Sequence, residues 1–421
     1  MGDPLSRSYY AATAQARPLA AAPTGALGCD VVIIGGGFTG VAAALACAER
    51  GYDVILLEAE KIGFGASGRN GGQLIPGLRW SMQEIEADFG RDRARAIFDL
   101  AYGARDRLWD RVARHGIACD LKPGHVEAAV KPSHFIEMQR AADWLTTHYG
   151  HPAQIIAPQD MAGYVASPAY HGGVFDPKGG HFHPLNYVLG LAEAATKAGV
   201  RLFEGARVTR VDTDGAVTAH LDGAEVTARF GLLATDAWMA DLSPRLGRHT
   251  IPIMNYNVAT APLAAPDALI PSDAAIADSR FVLNYFRLSA DKRLIFGGGE
   301  KYVERPPRDI AGFVRRHIDQ VFPTLGPINI DYAWGGAVAV SMNRLPHIGR
   351  QGPLFYAHGF SGHGALVTTL AGELVAEAMA GTAERFDVMA SLPSRPFPGG
   401  RLLRRPLATL GLLWYALRDR L

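Results

Sequence analysis

The chain has 421 residues, and its 42 basic and 41 acidic side chains leave a formal net charge of +1. A hydrophobic fraction of 48% allows a large buried core and argues against disorder. The balanced charge gives no support to nucleic acid or an anionic membrane surface as the main partner. The cysteines Cys29, Cys47 and Cys119 have neither disulfide nor metal-ligand spacing, which predicts a reducing, cytoplasmic compartment.

After an N-terminal arm that we expect to be extended, residues 29–60 predict a strand, a helix and a second strand. The turn between the first strand and the helix carries a G-x-G-x-x-G pattern. Gly35 permits the tight turn, Gly37 lets the backbone approach a pyrophosphate, and Gly40 lets helix and strand pack closely. Glu58 ends the second strand, where a carboxylate accepts hydrogen bonds from ribose hydroxyls and disfavours NADP. NAD and FAD both satisfy this pattern.

A second glycine-rich segment, GFGASGRNGGQLIPG over residues 63–77, follows directly. Its small residues let backbone amides come close to a large flat ligand, and Arg69 and Asn70 add a cation and an amide. This composition favours the far half of a dinucleotide, with a ribityl chain and a flavin ring, although a glycine-rich linker is the alternative. The segment therefore predicts FAD rather than NAD.

The rest of the chain predicts alternating helical and β-rich segments. In order, these are helical residues 80–149 with a strand at 124–130, a helix at 183–200, strands at 201–212 and 231–238, strands over 251–302 with a hairpin at 281–299, and a strand, glycine turn and helix at 355–381. The uncharged run 31–48 contains a glycine turn, so we predict no membrane insertion. An apolar stripe over 407–417 predicts a helix that docks on the chain itself or on a second subunit, in a monomer or dimer, with a membrane surface as the less favoured alternative.

Several motifs resemble the D-amino-acid oxidase and glycine oxidase superfamily of FAD enzymes. The segment EAEKIGFGASGRNGGQL resembles its cofactor signature, and further stretches narrow the resemblance to the gamma-glutamylputrescine oxidoreductases. These stretches are SYYAA, GGHFHPLN (179–186), NYFRLSADKRLIFGGG (284–299), NRLPHIGR (343–350), GFSGHG (359–364), FPGGRLLRRPL (397–407) and LRDRL (417–421). The resemblance spans essentially the whole chain.

The resemblance implies an α/β (α+β) fold with a discontinuous Rossmann-like FAD-binding domain. An inserted substrate domain is built on a large mixed or antiparallel sheet plus helices, which agrees with the order of segments. The expected division is an arm at 1–28, an FAD-binding domain at 29–79, 152–247 and 335–390, a substrate domain at 80–151 and 248–334, and a tail at 391–421.

The resemblance also implies FAD contacts beyond the two glycine-rich loops. The backbone near Val208 is expected at the adenine, and Ala234 and Thr235 lie in a turn beside the dinucleotide, although Asp236 stands where many flavoproteins have glycine. A helix N-terminus after residues 359–364 would stabilise anionic reduced flavin. The predicted cofactor-binding residues are Gly35, Gly37, Phe38, Thr39, Gly40, Glu58, Ala66, Ser67, Arg69, Asn70, Gly71, Gly72, Gln73, Val208, Ala234, Thr235, Gly359, Phe360, Ser361, Gly362, His363 and Gly364.

Two absences from the sequence sharpen the cofactor prediction. Some relatives attach FAD to a cysteine just before the motif represented here by SMNRLPHIG, but WGGAVAVSM (334–342) contains none, so we predict non-covalent FAD. His181 and His183 have no acidic or cysteine partner at ligand spacing, so we predict no metal site.

The resemblance implies an amine oxidoreductase with hydride transfer from the amine-bearing carbon to flavin N5. The resulting imine is hydrolysed to an aldehyde and ammonium, and O2 is reduced to H2O2 unless another acceptor is used. The implied substrate is gamma-glutamylputrescine or a related polyamine derivative. The alternatives are a secondary or N-methyl amino acid, such as sarcosine or pipecolate, and a flavin-binding protein without turnover. The candidate catalytic residues are His363, Tyr256, Tyr285, Arg287 and Trp334, although the strand residues among them also suit ordinary sheet packing.

Overall fold

The structure is a computed structural model that describes residues 8–15, 22–301 and 307–399. The apolar stripe predicted at 407–417 lies outside these residues. In chain order the strands of the described part are β1 (Gly25–Ile34), β2 (Val54–Leu57), β3 (Gln73–Leu74), β4 (Lys122–Ala128), β5 (Gln154–Ile156), β6 (Gly173–His181), β7 (Arg201–Phe203), β8 (Val208–Asp212), β9 (Val217–Leu221), β10 (Ala224–Leu233), β11 (Thr250–Pro262), β12 (Ala275–Asp278), β13 (Tyr285–Leu288), β14 (Arg293–Lys301), β15 (Ile330–Ser341), β16 (His347–Gln351) and β17 (Leu354–His358).

Helices connect these strands and cover the sheets. Those in the described part are α1 (Tyr9–Ala12), α2 (Phe38–Ala48), α3 (Met82–Phe89), α4 (Arg91–His115), α5 (Pro132–Tyr149), α6 (Pro184–Lys197), α7 (Met239–Leu242), α8 (Pro244–Gly247), α9 (Pro266–Leu269), α10 (Ile310–Val321), α11 (Ala365–Met379) and α12 (Glu384–Ala390), with 3-10 turns at Ala66–Gly68, Pro158–Gly163 and Asp236–Trp238. None of the helices in these ranges is long and apolar enough to cross a bilayer.

The first sheet has the order β16-β17-β10-β1-β2-β7, and the β8–β9 hairpin joins it beside β10. Strand β1 pairs in parallel with β2 and β10, and β10 pairs in parallel with β17. Val31 and Ile33 pack with residues of α2, α6 and α11, whereas Val32 and Ile34 pack with residues of β8, β9 and β10. Both faces of β1 are therefore buried over residues 31–34, which explains the continuous apolar run there.

The second sheet has the order β15-β11-β14-β13-β12-β4-β6-β3, with β5 paired to β6. Its neighbours are antiparallel except for β12 and β4, which run parallel. The predicted α/β architecture with a second, mixed sheet is thus confirmed. Strands β5 and β6 fall within residues 152–247, which we expected in the FAD-binding domain, yet they pair in this second sheet. The domain boundaries themselves stay a prediction.

The prediction of an extended N-terminal arm is wrong at Tyr9–Ala12, which form a short helix. Ser8 accepts a hydrogen bond from the Ala11 amide at 3.0 Å and caps the short helix α1. Tyr9 and Tyr10 are buried, and the Tyr9 hydroxyl donates to Asp291 Oδ1 at 2.7 Å. Burial of these two large aromatic side chains stabilises the packing of α1 against the second sheet.

Helices α2 and α11 cross at very close range. A Cβ added to Gly372 of α11 would lie 2.5 Å from the Thr39 carbonyl oxygen and 2.7 Å from the Ala43 amide nitrogen. Only a residue without a side chain fits this contact, because backbone atoms cannot yield as a flexible side chain would. This crossing fixes the start of α2, where the first glycine-rich loop ends.

We predict that Gly372→Ala lowers the free energy of unfolding by about 2 kcal/mol because the added methyl group overpacks the crossing. Gly103 is the matched control, since it also lies in a helix but an added Cβ meets nothing within 4 Å. Gly103→Ala should raise the free energy of unfolding by about 0.5–1 kcal/mol. Urea denaturation of the three proteins checks this, and equal effects of the two substitutions would contradict it.

Candidate functional site

A cavity of about 470 Å³ lies between the two sheets. One wall is formed by the carboxyl ends of β1, β2 and β10, and the opposite wall by a face of the second sheet. In open parallel sheets this edge is the usual place for a nucleotide, because loops and helix N-termini converge there. The cavity is therefore the candidate functional site.

The first glycine-rich loop forms one end of the cavity. Gly35 has a φ of +113°, and an added Cβ would lie 2.5 Å from the Ala234 carbonyl oxygen. A Cβ on Gly37 would lie 2.9 Å from Ser67 Oγ. The loop thus passes so close to β10 and to the second loop that side chains are excluded, which leaves its backbone exposed to a ligand.

Glu58 connects this loop to the end of β2. Its carboxylate accepts hydrogen bonds from the Gly36 amide at 2.7 Å and the Glu60 amide at 2.8 Å. Burial raises the pKa of Glu58, while these two amides oppose the rise. The side chain lines the cavity at the position predicted for a ribose contact, and it also holds the glycine loop in place.

The second glycine-rich loop meets the N-terminus of α2. Ser67 Oγ accepts from the Phe38 amide at 2.9 Å, so a residue from another loop caps this helix. Asn70 donates to the Ala66 carbonyl oxygen at 3.0 Å and accepts from the Gly72 amide at 2.8 Å. Asn70 therefore shapes its own loop, although it also lines the cavity as predicted for a cofactor contact.

Arg69 ties the second loop to the second sheet. Its Nε donates to the Phe64 carbonyl oxygen at 2.7 Å, and Nη1 donates to the Gly335 carbonyl oxygen at 3.1 Å. The Arg69 carbonyl oxygen accepts from Trp334 Nε1 at 2.9 Å and from Asn257 Nδ2 at 3.3 Å. These bonds fix the path of the loop across the sheet.

A third loop, residues 359–364, leads into α11. The Ser361 amide donates to the Ala339 carbonyl oxygen at 3.0 Å, and Ser361 Oγ accepts from the Ser341 amide at 3.1 Å. Helix α11 starts at Ala365 without a side-chain cap at Gly364. Because the first amides of a helix have no intrahelical acceptor, this end offers donors and partial positive charge to the cavity.

Asp236 joins the turn after β10 to the third loop. Its φ is +41°, which agrees with a position where glycine is common, and its Oδ1 accepts from the Gly359 amide at 3.0 Å. Burial raises the pKa of Asp236 to about 6, although amide hydrogen bonds oppose this.

The far wall of the cavity carries aromatic and charged side chains from the second sheet. The Tyr285 hydroxyl donates to Asn255 Oδ1, and the Tyr285 ring lies where a Cβ on Gly71 would be. The Arg344 guanidinium lies over the Phe281 ring, 4.7 Å from the ring centroid, which is within the range of about 6 Å for a cation–π contact. This wall therefore offers a ring face, an amide and a cation to a bound molecule.

His363 lies at the α11 side of this wall. Burial and the charge of Arg79 lower the pKa of His363 to about 3, so the imidazole is neutral near pH 7. Its Nε2 has no hydrogen-bond partner among the described residues. A neutral imidazole here can bond to a ligand without adding charge.

Most of the predicted cofactor-binding residues line the cavity, and their contact with FAD stays a prediction. Those that line it are Gly35, Gly37, Phe38, Thr39, Glu58, Ala66, Ser67, Arg69, Asn70, Gly71, Gln73, Val208, Ala234, Thr235, Phe360, Ser361, Gly362, His363 and Gly364. Gly40, Gly72 and Gly359 do not line it, because they pack against the loops and strands behind its wall.

Of the candidate catalytic residues, His363 and Tyr285 line the cavity, whereas Tyr256, Arg287 and Trp334 do not, and the catalytic roles stay a prediction. Arg287 lies beneath the second loop, donating from Nε to the Gly71 carbonyl oxygen at 2.9 Å and from Nη2 to the Tyr10 hydroxyl at 3.2 Å. Trp334 packs on the same tyrosine, with ring centroids 5.3 Å apart. Both support the loop from behind.

Tyr256 is also buried behind the wall, with its ring 5.8 Å from that of Phe313. Sequence reasoning missed several cavity residues, notably His125 and Glu127 in β4. A signal was present, because these two polar residues alternate in an apolar strand and so share one face. Arg79 was missed as well, and nothing in its local pattern distinguishes it.

We predict that Gly35→Ala weakens binding of FAD, the expected cofactor, by at least about tenfold, because a side chain at this φ is strained and meets the Ala234 carbonyl. Gly28→Ala in β1 is the control, since an added Cβ there meets nothing within 4 Å. Fluorescence titration of the cofactor-free proteins measures both dissociation constants. Equal affinities for Gly35→Ala and wild type would contradict the assigned loop geometry.

The raised pKa of Asp236 predicts a pH-dependent stability. At pH 7 the carboxylate is charged in a site that favours its neutral form. As pH falls through about 6, Asp236 takes up a proton in the folded protein. In the unfolded chain its carboxyl keeps the ordinary pKa of 3.8 and stays ionised until lower pH, so protonation stabilises the folded state. Wild type should therefore gain about 2 kcal/mol relative to Asp236→Asn between pH 7 and pH 4. Denaturation of the cofactor-free proteins checks this, and a constant difference would contradict it.

Comparisons with known proteins agree with this geometry. Residues 30–378 match the family described as DAO, FAD dependent oxidoreductase. The chain is 37% identical over 418 residues to the gamma-glutamylputrescine oxidoreductase of Escherichia coli, covering 98% of each chain. It is 37% identical over 423 residues to the probable oxidoreductase OrdL of Rhizobium meliloti, covering 99% of each. Its fold is similar to glycine oxidase from Geobacillus kaustophilus, with a TM-score of 0.73, 22% identity, and coverage of 84% of this chain and 95% of the other. The chain therefore belongs to the DAO family of FAD-dependent oxidoreductases.

Proposed function

We propose that this FAD-dependent oxidoreductase oxidises gamma-glutamylputrescine or a closely related polyamine derivative, with O2 as acceptor. The observation that carries the proposal is one continuous cavity that joins the glycine-rich nucleotide loop to a polar and aromatic sheet face. The full-length similarity to the Escherichia coli gamma-glutamylputrescine oxidoreductase supports the substrate class.

The residues of the cavity fit FAD along its whole length. Glu58 and Val208 would hold the adenosine, the first loop and the start of α2 the pyrophosphate, and the third loop the flavin. Cys29, Cys47 and Cys119 do not line the cavity, which supports non-covalent attachment. When bound, FAD would supply the redox chemistry that oxidises the amine to an imine, and water would hydrolyse the imine to an aldehyde and ammonium.

The protein's own contribution is to bind the amine in its neutral form. An ammonium has no lone pair to assist hydride loss, so a site that lowers the amine pKa favours the reaction. Tyr285, Asn255 and Phe281 present uncharged groups to the cavity, and His363 is neutral near pH 7. The cation Arg344 further disfavours a second positive charge nearby.

Anaerobic mixing with an amine panel tests the proposal. We expect gamma-glutamylputrescine to bleach the flavin absorbance fully, with sarcosine and pipecolate at least about 100-fold less efficient because they lack the long chain that fills the cavity. Air should then restore the oxidised spectrum with H2O2 release.

The alternatives give different results in the same experiment. Reduction by sarcosine or pipecolate alone would replace the proposed substrate with a secondary or N-methyl amino acid. Bleaching that air reverses only slowly would indicate another electron acceptor. A flavin that no amine reduces would indicate a binding protein without turnover.

A further inference from the structure

Glu127 occupies an unusual position for a carboxylate. Strand β4 lies inside the second sheet between β12 and β6, and Glu127 pairs with Ala277 of β12, which in turn pairs with Tyr285 of β13. Paired residues share a face, so Glu127 and Tyr285 both project into the cavity, about 10 Å apart across two strand spacings. The sheet register thus sets a fixed separation between a charged end and an aromatic end of one wall.

The Glu127 carboxylate is open to the cavity although its strand is internal. Among the described residues, none donates a hydrogen bond to it. Burial raises the pKa of Glu127, and the positive charge of Arg79 opposes that rise. Because no donor in the described part of the chain uses this carboxylate on the cavity wall, it is available to a ligand that brings a cation to it.

The reacting amine is not suited to this position. A neighbouring carboxylate raises the pKa of an ammonium and holds it in the form that cannot lose hydride. Glu127 suits an ammonium that stays charged throughout the reaction, whereas the uncharged end of the wall at Tyr285 and Asn255 suits the reacting amine.

Arg79 supplies the complementary charge. It lies in the cavity wall and affects the pKa values of both Glu127 and His363. Its chain neighbours are fixed, because Trp80 Nε1 donates to the Asn343 carbonyl oxygen at 2.7 Å and Ser81 caps α3. A cation from the loop before α3 and an anion on strand β4, both on the cavity wall, match the carboxylate and ammonium of an α-amino acid.

We propose that Glu127 and Arg79 form a subsite for the zwitterionic α-amino-acid head of the substrate, with Glu127 binding its ammonium and Arg79 its carboxylate. The head then lies at the β4 end of the cavity, and the amine at the other end of the substrate lies beside Tyr285. This inference rests on the proposed function, and it predicts that a glutamyl-capped diamine is oxidised in preference to the free diamine.

The test removes the negative charge of Glu127 from the protein and, separately, the α-ammonium charge from the substrate. Glu127→Gln is assayed with gamma-glutamylputrescine and with its glutaryl analogue, which lacks only the α-ammonium. Glu137→Gln, at an exposed position of α5, is the control. We expect Glu127→Gln to lower kcat/KM for gamma-glutamylputrescine by about 10- to 100-fold, mainly through KM, and to leave the glutaryl analogue within about twofold.

Arg79→Gln provides the second arm, in case Glu127→Gln does not fold. It should weaken gamma-glutamylputrescine by a similar factor but leave its α-carboxamide analogue nearly unchanged. Equal losses for a substrate and its matched analogue would overturn the subsite while leaving the proposed function intact. If wild type oxidises neither gamma-glutamylputrescine nor its analogues, the proposed function fails, and the subsite fails with it.

Discussion

Close backbone contact at the end of β1 is the constraint on which the rest of the site depends. Gly35 passes so near the Ala234 carbonyl that no side chain fits, and Gly372 brings α11 equally close to α2. Together these contacts fix where α2 begins and direct its first amides into the cavity. Ser67 of the second glycine-rich loop then caps the Phe38 amide, so the two glycine-rich loops form one unit.

The second glycine-rich loop connects the first loop to the second sheet through hydrogen bonds. The loop crosses the face of that sheet, where Arg287 and Trp334 donate hydrogen bonds to its carbonyl oxygens. Tyr10 contacts both of these side chains. The contacts of Arg287 and Trp334 position the loop, and their catalytic roles stay a prediction. The cost of burying an arginine and a tryptophan is offset because every bond they make holds the cavity wall in place.

Local patterns in the sequence predict much of this fold but few of the residues in the far wall of the cavity. The βαβ unit, the β13–β14 hairpin and the turn into α11 follow from periodicity and glycine placement over short stretches. Glu127 lies on the same sheet face as Tyr285 because β4 pairs in parallel with β12. Pairing between strands so far apart in the chain leaves no local pattern in the sequence. The same limit explains why β5 and β6 pair in the second sheet. The helix at Tyr9 was missed because four residues carry too short a period to recognise.

A crystal structure of the protein with FAD would test the central claim most directly, namely that one cavity joins the nucleotide loop to the substrate wall. The account predicts the pyrophosphate at the start of α2, within hydrogen-bond distance of backbone amides between Gly37 and Thr39. It also predicts the flavin ring between the third loop and Tyr285, with the space beside Glu127 left open. A pyrophosphate bound away from α2, or a flavin ring that fills the space at Glu127, would contradict it.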